Sequence, residues 1–263
     1  MDMRFRPVAG LAALLAIAAL VGCHAQGAPA DPGGGSKRDA LWRIVGEQCG
    51  PDQAQHGSPA PCLVVYPDGG AVLKDKHGAT EMLLIPTTKI TGIESPALLA
   101  PGAPNYFQDA WAAQSFVDHL AGQTIPREDL GLAINSEDGR SQDQLHIHVD
   151  CVMPDVKQTL TAHLAEVGDK WAPFAEALEG HRYEAMRVAG ADLAANNPFR
   201  LLADGDPAAK TDMGVETIVV VGETFPSGPG FVLLADRADP ASGDMGSGET
   251  LLDHDCQVLK PPA

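Results

Sequence analysis

His146, His148 and Asp150 alternate with Ile147, Val149 and Cys151. Side chains of a strand point alternately to its two faces. The polar three therefore share one face and the apolar three the other. Two imidazoles and a carboxylate in one row allow two kinds of chemistry: they could ligate a metal ion, or one imidazole could attack an electrophile. A neutral histidine attacks phosphorus near neutral pH when its second ring nitrogen is held. The product is a phospho- or nucleotidyl-histidine, which water then hydrolyses. Metal ligation fits less well, because Asp150 reaches a shared ion only if the strand curves strongly, and no further cluster of ligating side chains lies nearby in sequence. No metal or other cofactor is expected. Taken alone, two strand histidines are also what an ordinary half-buried strand carries.

The residues just upstream favour phosphate chemistry. Gly139-Arg140-Ser141-Gln142 can offer backbone N–H groups, a guanidinium and an amide to a phosphate, with Asn135 at the start of the turn. Lys74 and Lys89 lie in or beside neighbouring strands and could add positive charge. Of the other histidines, His77 falls in a turn and His119 on the apolar face of a predicted helix. His163 and His181 have no evident partner.

These residues need a sheet to hold them. Leu63–Tyr66, Ala71–Asp75 and Glu81–Pro86 read as strands joined by short Pro/Gly turns, hence an antiparallel meander. Leu130–Asn135 precedes the histidine strand, while Glu216–Val221 and Phe231–Asp236 flank a Pro226–Gly230 turn. Cys256–Leu259 reads as an edge strand. Helical periodicity marks a first segment around Leu41–Val45 that stops at Gly50-Pro51. A second runs over Gln108–Leu120 and a third follows Pro154. Residues 92–107 form a Pro-rich loop, and the acidic, Gly-rich stretch 237–250 reads as a loose one. The fold class is α+β, an antiparallel sheet with helices packed on one face.

The chain has 263 residues and a net charge of −17. Such a charge argues against nucleic-acid binding and gives no general attraction to anionic lipid. Arg4, Arg6 and the apolar run Val8–Val21 have signal-peptide character, and Leu20-Val21-Gly22-Cys23 resembles a lipobox that would leave Cys23 lipidated. An uncleaved anchor is the alternative. Residues 1–23 are thus a targeting segment, 24–38 a Gly/Ser-type linker and 39–263 the globular domain. The body is expected in a bacterial cell envelope, tethered through its N-terminus and facing the periplasm. Which membrane holds it is open. Four cysteines remain, Cys49, Cys62, Cys151 and Cys256, and an even number in an exported protein predicts disulfides. The favoured pairing is Cys49–Cys62 with Cys151–Cys256, and a structural zinc is not expected.

Asn135, Gln142, His146 and His148 together resemble the signature of the histidine-triad superfamily of nucleotide hydrolases and transferases, with Ser141 and Asp150 departing from it. Further segments resemble the bacterial CDP-diacylglycerol pyrophosphatases: Leu41-Trp42-Arg43-Ile44-Val45, Pro59-Ala60-Pro61-Cys62, Val72-Leu73-Lys74-Asp75, Leu84-Ile85-Pro86-Thr87, Gly92-Ile93-Glu94-Ser95-Pro96 and Ala133-Ile134-Asn135-Ser136. The resemblance implies a histidine-triad-like fold and hydrolysis of CDP-diacylglycerol, drawn from the bilayer, to CMP and phosphatidate. It implies His148 as nucleophile through a cytidylyl-histidine, His146 as its orienting partner, and Asn135 and Gln142 at the reacting phosphate; from their own chemistry Arg140 and Lys74 could neutralise the diphosphate, and Asp150 is counted with these substrate-binding residues. Asp150 stands where a third His or a Gln is usual, and an ionised carboxylate cannot donate to a leaving oxygen. Two other outcomes are a histidine-triad-type hydrolase or nucleotidyltransferase acting on another diphosphate, and a non-catalytic envelope lipoprotein that binds lipid or nucleotide.

Overall fold

A computed structural model describes residues 36–260. The targeting segment, Cys23 and most of the linker lie outside the described residues. Lys37–Asp39, at the linker boundary, forms a 3-10 turn. Helix α1 (Ala40–Ile44) then passes through a π-helical turn, Val45–Cys49, into helix α2 (Gly50–His56). Gly50-Pro51 does not stop the run as expected. The Gly50 N–H reaches back to the Val45 carbonyl, and this widened turn relieves the clash between a proline ring and the carbonyl four residues before it. Gly57, at φ 66°, ends the helix instead.

Strands β1 (Val64–Val65), β2 (Gly70–Lys74) and β3 (Met82–Pro86) form the expected antiparallel meander. The helix predicted over 108–120 is two, α3 (Tyr106–Ala112) and α4 (Gln114–Ala121), divided at Ala113 with ψ −5°. The break shifts the helical phase. Ala113 and Val117 become buried, and His119, expected on the apolar face, is exposed. Strands β4 (Leu130–Ile134) and β5 (Ile147–Val152) lead into helix α5 (Pro154–His163). The less periodic remainder adds β6 (Ala172–Pro173), β7 (Glu184–Ala189), α6 (Pro198–Gly205), α7 (Pro207–Thr211), the long hairpin β8 (Glu216–Phe225) and β9 (Gly228–Arg237), and β10 (Leu252–Asp253). The C-terminal strand is thus earlier than predicted, and 257–259 is a 3-10 turn.

All pairings are antiparallel, in the order β1-β2-β3-β5-β4-β8-β9-β7-β6, with β10 added on β5. One face, with Leu84, Leu132, Ile147, Val149, Val220 and Leu233, packs under Phe107, Trp111 and Val117 of α3 and α4 and Phe199 of α6. This is the expected helical layer. The other face is covered at its two flanks: Leu73, Leu83 and Ile85 meet the α1–α2 segment, and Val152, Val219, Val221 and Leu234 meet Val156 and Leu160 of α5. Between those apolar flanks lies the polar row that ends in β5. The disulfides are Cys49–Cys62 and Cys151–Cys256, as paired from the sequence.

One edge of β5 is shared. β4 occupies the other edge along 148–151, so β3, opposite 147–149, and β10, opposite 151–152, lie end to end on the same side. The gap between them falls at Asp150. Thr80 and Glu81 enter it from before β3, and His254 enters it from just after β10.

Candidate active site

His148 stands at the centre of β5 and is almost fully buried. Glu81 Oε1 lies 2.6 Å from its Nδ1, and Glu249 Oε2 lies 2.8 Å from its Nε2. Burial by itself would lower the basicity of the ring. Glu249 and Glu81 together outweigh it and push the pKa up to about 10, so the ring is an imidazolium at neutral pH. Glu249 is buried enough to resist ionisation, yet His148 and Asn135 hold its carboxyl down to about 2. Asn135 also takes the Glu249 backbone N–H on its Oδ1, at 3.2 Å.

His146 has the opposite electrostatics. Its ring centroid is 5.0 Å from that of His148, with the planes at 64°. Burial, then the neighbouring His148 charge, lower its pKa to about 4, so it stays neutral. Its Nδ1 is 2.7 Å from the Gln144 carbonyl. Only an N–H can satisfy that carbonyl, so Nδ1 carries the proton and Nε2 keeps a lone pair.

Asp150 is fully buried and does not point at solvent. It accepts from the Thr80 hydroxyl at 2.7 Å, the Cys151 N–H at 2.8 Å and His254 Nδ1 at 3.1 Å. Burial raises its pKa against these three donors. The second oxygen of Glu81 lies 3.4 Å from the same His254 nitrogen.

A cavity of about 600 Å³ opens over this row. His146, His148, Asn135, Glu249 and His254 line its polar end, and Leu41, Ile44 and Leu73 an apolar one. Lys74 and Gln142 also line it, though both are tethered. Lys74 Nζ donates to the carbonyls of Asp75, His77 and Gly78, and the Gln142 amide bridges to the Leu41 N–H and the Lys37 carbonyl. Arg140 is not brought to the cavity. Its guanidinium is buried in a two-pronged pair with Glu94, at 2.7 and 2.9 Å, because the loop folds inward over Gly92. Arg140, expected at the diphosphate, thus makes an ion pair with Glu94 and does not line the cavity in this structure. Lys89 pairs with Asp39 and stays outside the lining.

Glu81, Thr80, Glu249 and His254 are the site residues that sequence reasoning passed over. Glu81 was read only as the start of a strand, and Glu249 fell in a stretch read as a loose acidic loop. That loop is in fact fastened to the turn after β4, through Ser136 Oγ to the Met245 carbonyl at 2.6 Å and Ser136 N–H to the Gly246 carbonyl at 2.9 Å.

Glu81, His148 and Glu249 have ligand atoms within 4.8 Å of one another. Their carboxylates, however, engage opposite nitrogens of one ring, an arrangement suited to holding an imidazolium rather than converging on one cation. His181, Asp236 and Asp244 form a second cluster of this kind among the described residues, and none of them lines the cavity.

The chain matches the family model described as CDP-diacylglycerol pyrophosphatase over residues 36–260. It is also 47% identical over 225 residues to a Yersinia pestis protein named CDP-diacylglycerol pyrophosphatase, covering 85% of this chain and 86% of that one. On both counts the chain belongs to the CDP-diacylglycerol pyrophosphatase family.

Proposed function

We propose that this protein hydrolyses CDP-diacylglycerol to CMP and phosphatidate through a cytidylyl-histidine on His148. The observation that carries this reading is the placement of His148 in the cavity lining, with Glu81 on Nδ1 and the partly exposed Glu249 carboxylate on Nε2. Glu81 keeps the Nδ1 proton in place, which leaves Nε2 as the attacking nitrogen.

In the free protein His148 is protonated, and an imidazolium cannot attack. At pH 7 a group with pKa of about 10 is neutral about one time in 10³, a cost of about 4 kcal/mol. The Nε2 proton must therefore leave before attack: Glu249, 2.8 Å away, accepts it and passes it to solvent as its carboxylate turns aside to admit the substrate diphosphate. Nε2 then bonds to the cytidine phosphorus while the bond to the bridging oxygen breaks, and its electron pair leaves on phosphatidate. Water attacks the same phosphorus, the P–N bond breaks, and CMP departs. Glu249, still beside the reacting centre, is placed to take the proton of that water. The neutral His146 keeps a second positive charge away from His148.

The apolar end of the cavity is built by α1, which follows directly on the proposed N-terminal tether, so the lipid portion of the substrate would enter from that side. Lipidation at Cys23 and an envelope location are part of this proposal, and mass spectrometry of the mature N-terminus tests them. The likeness to histidine-triad enzymes enters through the strand and loop pattern alone. The deciding experiment measures CMP release from CDP-diacylglycerol by wild type and His148→Ala. Loss of turnover in the variant, with an acid-labile cytidylyl adduct trapped on wild type, supports the mechanism. Retained turnover in His148→Ala overturns it, and turnover of other diphosphates alone would reassign the substrate.

A further inference from the structure

We propose that His254 supplies the proton that the leaving phosphatidate oxygen needs, taking the part that the residue at position 150 cannot play. The proposal rests on the reading of His148 as nucleophile. It begins from three contacts. Asp150 accepts from His254 Nδ1 at 3.1 Å, Glu81 Oε2 lies 3.4 Å from that nitrogen, and Glu81 Oε1 lies 2.6 Å from His148 Nδ1. One carboxylate thus joins the two rings and sets them side by side along the row. His146 flanks His148 on one side and His254 on the other.

The orientation of His254 is determined by what holds it. With Nδ1 turned to two carboxylates, that nitrogen must carry a proton. Nε2 has no partner among the described residues, and the side chain is about one-third exposed and lines the cavity. The groups facing the ring are Asp150 and His148 from β5 and Glu81 from the approach to β3, with Lys76 and His77 of the β2–β3 loop on the same cavity wall. The hydrogen bond to Asp150 is the main reason its pKa is raised, and burial and His148 act against it. With Nδ1–H held by these carboxylates, Nε2 is turned to the cavity, where their charge favours a second proton.

The backbone is also fixed on three sides. β10 pairs with β5 immediately before His254, and Cys256 is bonded to Cys151 two residues after it. The His254 carbonyl accepts the Ala79 N–H at 2.8 Å and the Thr80 N–H at 3.3 Å. A Cβ at Gly78 would come within 2.5 Å of the His254 Cβ, so the loop closes tightly over it. On this account the second disulfide has a catalytic purpose: it keeps a histidine from the far end of the chain beside β5. Asp150 is then a positioning residue, acting through His254.

The step balances. As the bond between the cytidine phosphorus and the bridging oxygen breaks, the Nε2 proton of His254 moves to that oxygen, and phosphatidate leaves with it. His254 becomes neutral and regains a proton from solvent before the next turnover.

The test compares CDP-diacylglycerol with a series of aryl esters of cytidine 5′-monophosphate whose leaving phenols range from weakly to strongly acidic. Wild-type kcat/KM should depend little on the phenol. His254→Ala should lose about 10²- to 10³-fold on the phenyl ester, under about tenfold on the p-nitrophenyl ester, and about threefold to tenfold on CDP-diacylglycerol, whose phosphatidate is a similarly acidic leaving group. His254→Gln keeps an N–H donor and should recover part of the phenyl-ester rate. Equal losses on every ester would mean a purely structural role and overturn the proposal, as would no loss on CDP-diacylglycerol. A folded His254→Gln no faster than His254→Ala on the phenyl ester would also overturn it. His148→Ala is measured on the same esters. If it still turns them over, the nucleophile reading fails; if it is inactive while His254→Ala is unimpaired, only the role of His254 fails.

Discussion

Replacing Glu249 with Gln should uncouple the two charges that hold His148 protonated. The His148 pKa rises from 6.5 to about 10, a difference of about 5 kcal/mol that is already net of burial. Two carboxylates at 2.6 and 2.8 Å produce it, with Glu249 the larger contributor. Glu249→Gln removes at least half of the attraction while the burial penalty stays whole. The His148 midpoint should therefore fall by at least about 2 pH units, and the neutral fraction at pH 7 should rise about a hundredfold. The assay is a pH titration of the His148 ring carbon by NMR, assigned by its absence in His148→Gln. Stability gives an independent check of sign. The folded-state His148 pKa lies above the unfolded one and that of Glu249 below it, so the pair contributes fully between about pH 4.5 and 6.5 and fades as pH rises through about 10 or falls through about 2. Because about a third of the Glu249 side chain is exposed, the variant should be less stable at pH 6 by about 2 kcal/mol rather than the full value, and that deficit should close by about pH 10. A wild-type His148 that titrates near 6.5, or a midpoint unmoved by Glu249→Gln, would refute the claim that these carboxylates govern the ring.

Three further outcomes follow from neighbouring residues. His146 has a folded-state pKa of about 4, below the unfolded 6.5, so wild-type stability should fall by up to about 3 kcal/mol as pH drops from 6.5 to 4; denaturant melts of His146→Gln should lack that part of the slope. Removing the Arg140 charge as Arg140→Ala should cost about 3 to 5 kcal/mol in a urea melt, because Glu94 is left without its buried partner, while KM for CDP-diacylglycerol at a temperature where the variant is folded should change less than about threefold. Gly78→Ala adds a Cβ against His254 at a left-handed position, φ 60°; kcat on the phenyl ester should fall about tenfold with a stability loss of about 1 to 2 kcal/mol, and an unchanged kcat would show that the 78–80 loop does not position that ring.

What the sequence disclosed and what it hid divide along sequence separation. The alternation around His146 and His148 is local, so the strand, its two faces and the apolar core beneath Ile147 and Val149 were legible. So were the β1–β2–β3 meander, whose turns are written in Pro67-Asp68-Gly69-Gly70 and Lys76-His77-Gly78, and the pairing of the four cysteines. His119 was misplaced because a single helical period was carried through Ala113, where the helix divides. Arg140 looked like an anion ligand because it sits in a Gly-containing turn before the histidines; nothing local announces that Glu94, 46 residues earlier, closes over it. Glu249 lay in a segment whose acidic, Gly-rich composition resembles a solvated loop, and its bonds to Asn135 and Ser136, more than a hundred residues away, make it a wall of the site.

Asp150 shows how such distance matters for function. Viewed along its own strand, it is an anion in the path of a phosphate and an unsuitable donor. Its role becomes readable only where β3 stops short of it and β10 begins beyond it. A continuous neighbouring strand would fill that edge with backbone hydrogen bonds. The gap instead admits Thr80 and Glu81 from one side and His254, 104 residues further along the chain, from the other. A carboxylate at this position can receive a histidine where a third histidine in the row would compete with it for the same space. The polar row is therefore completed by topology: two histidines come from β5, and the third is carried to it by β10 and held there by Cys256.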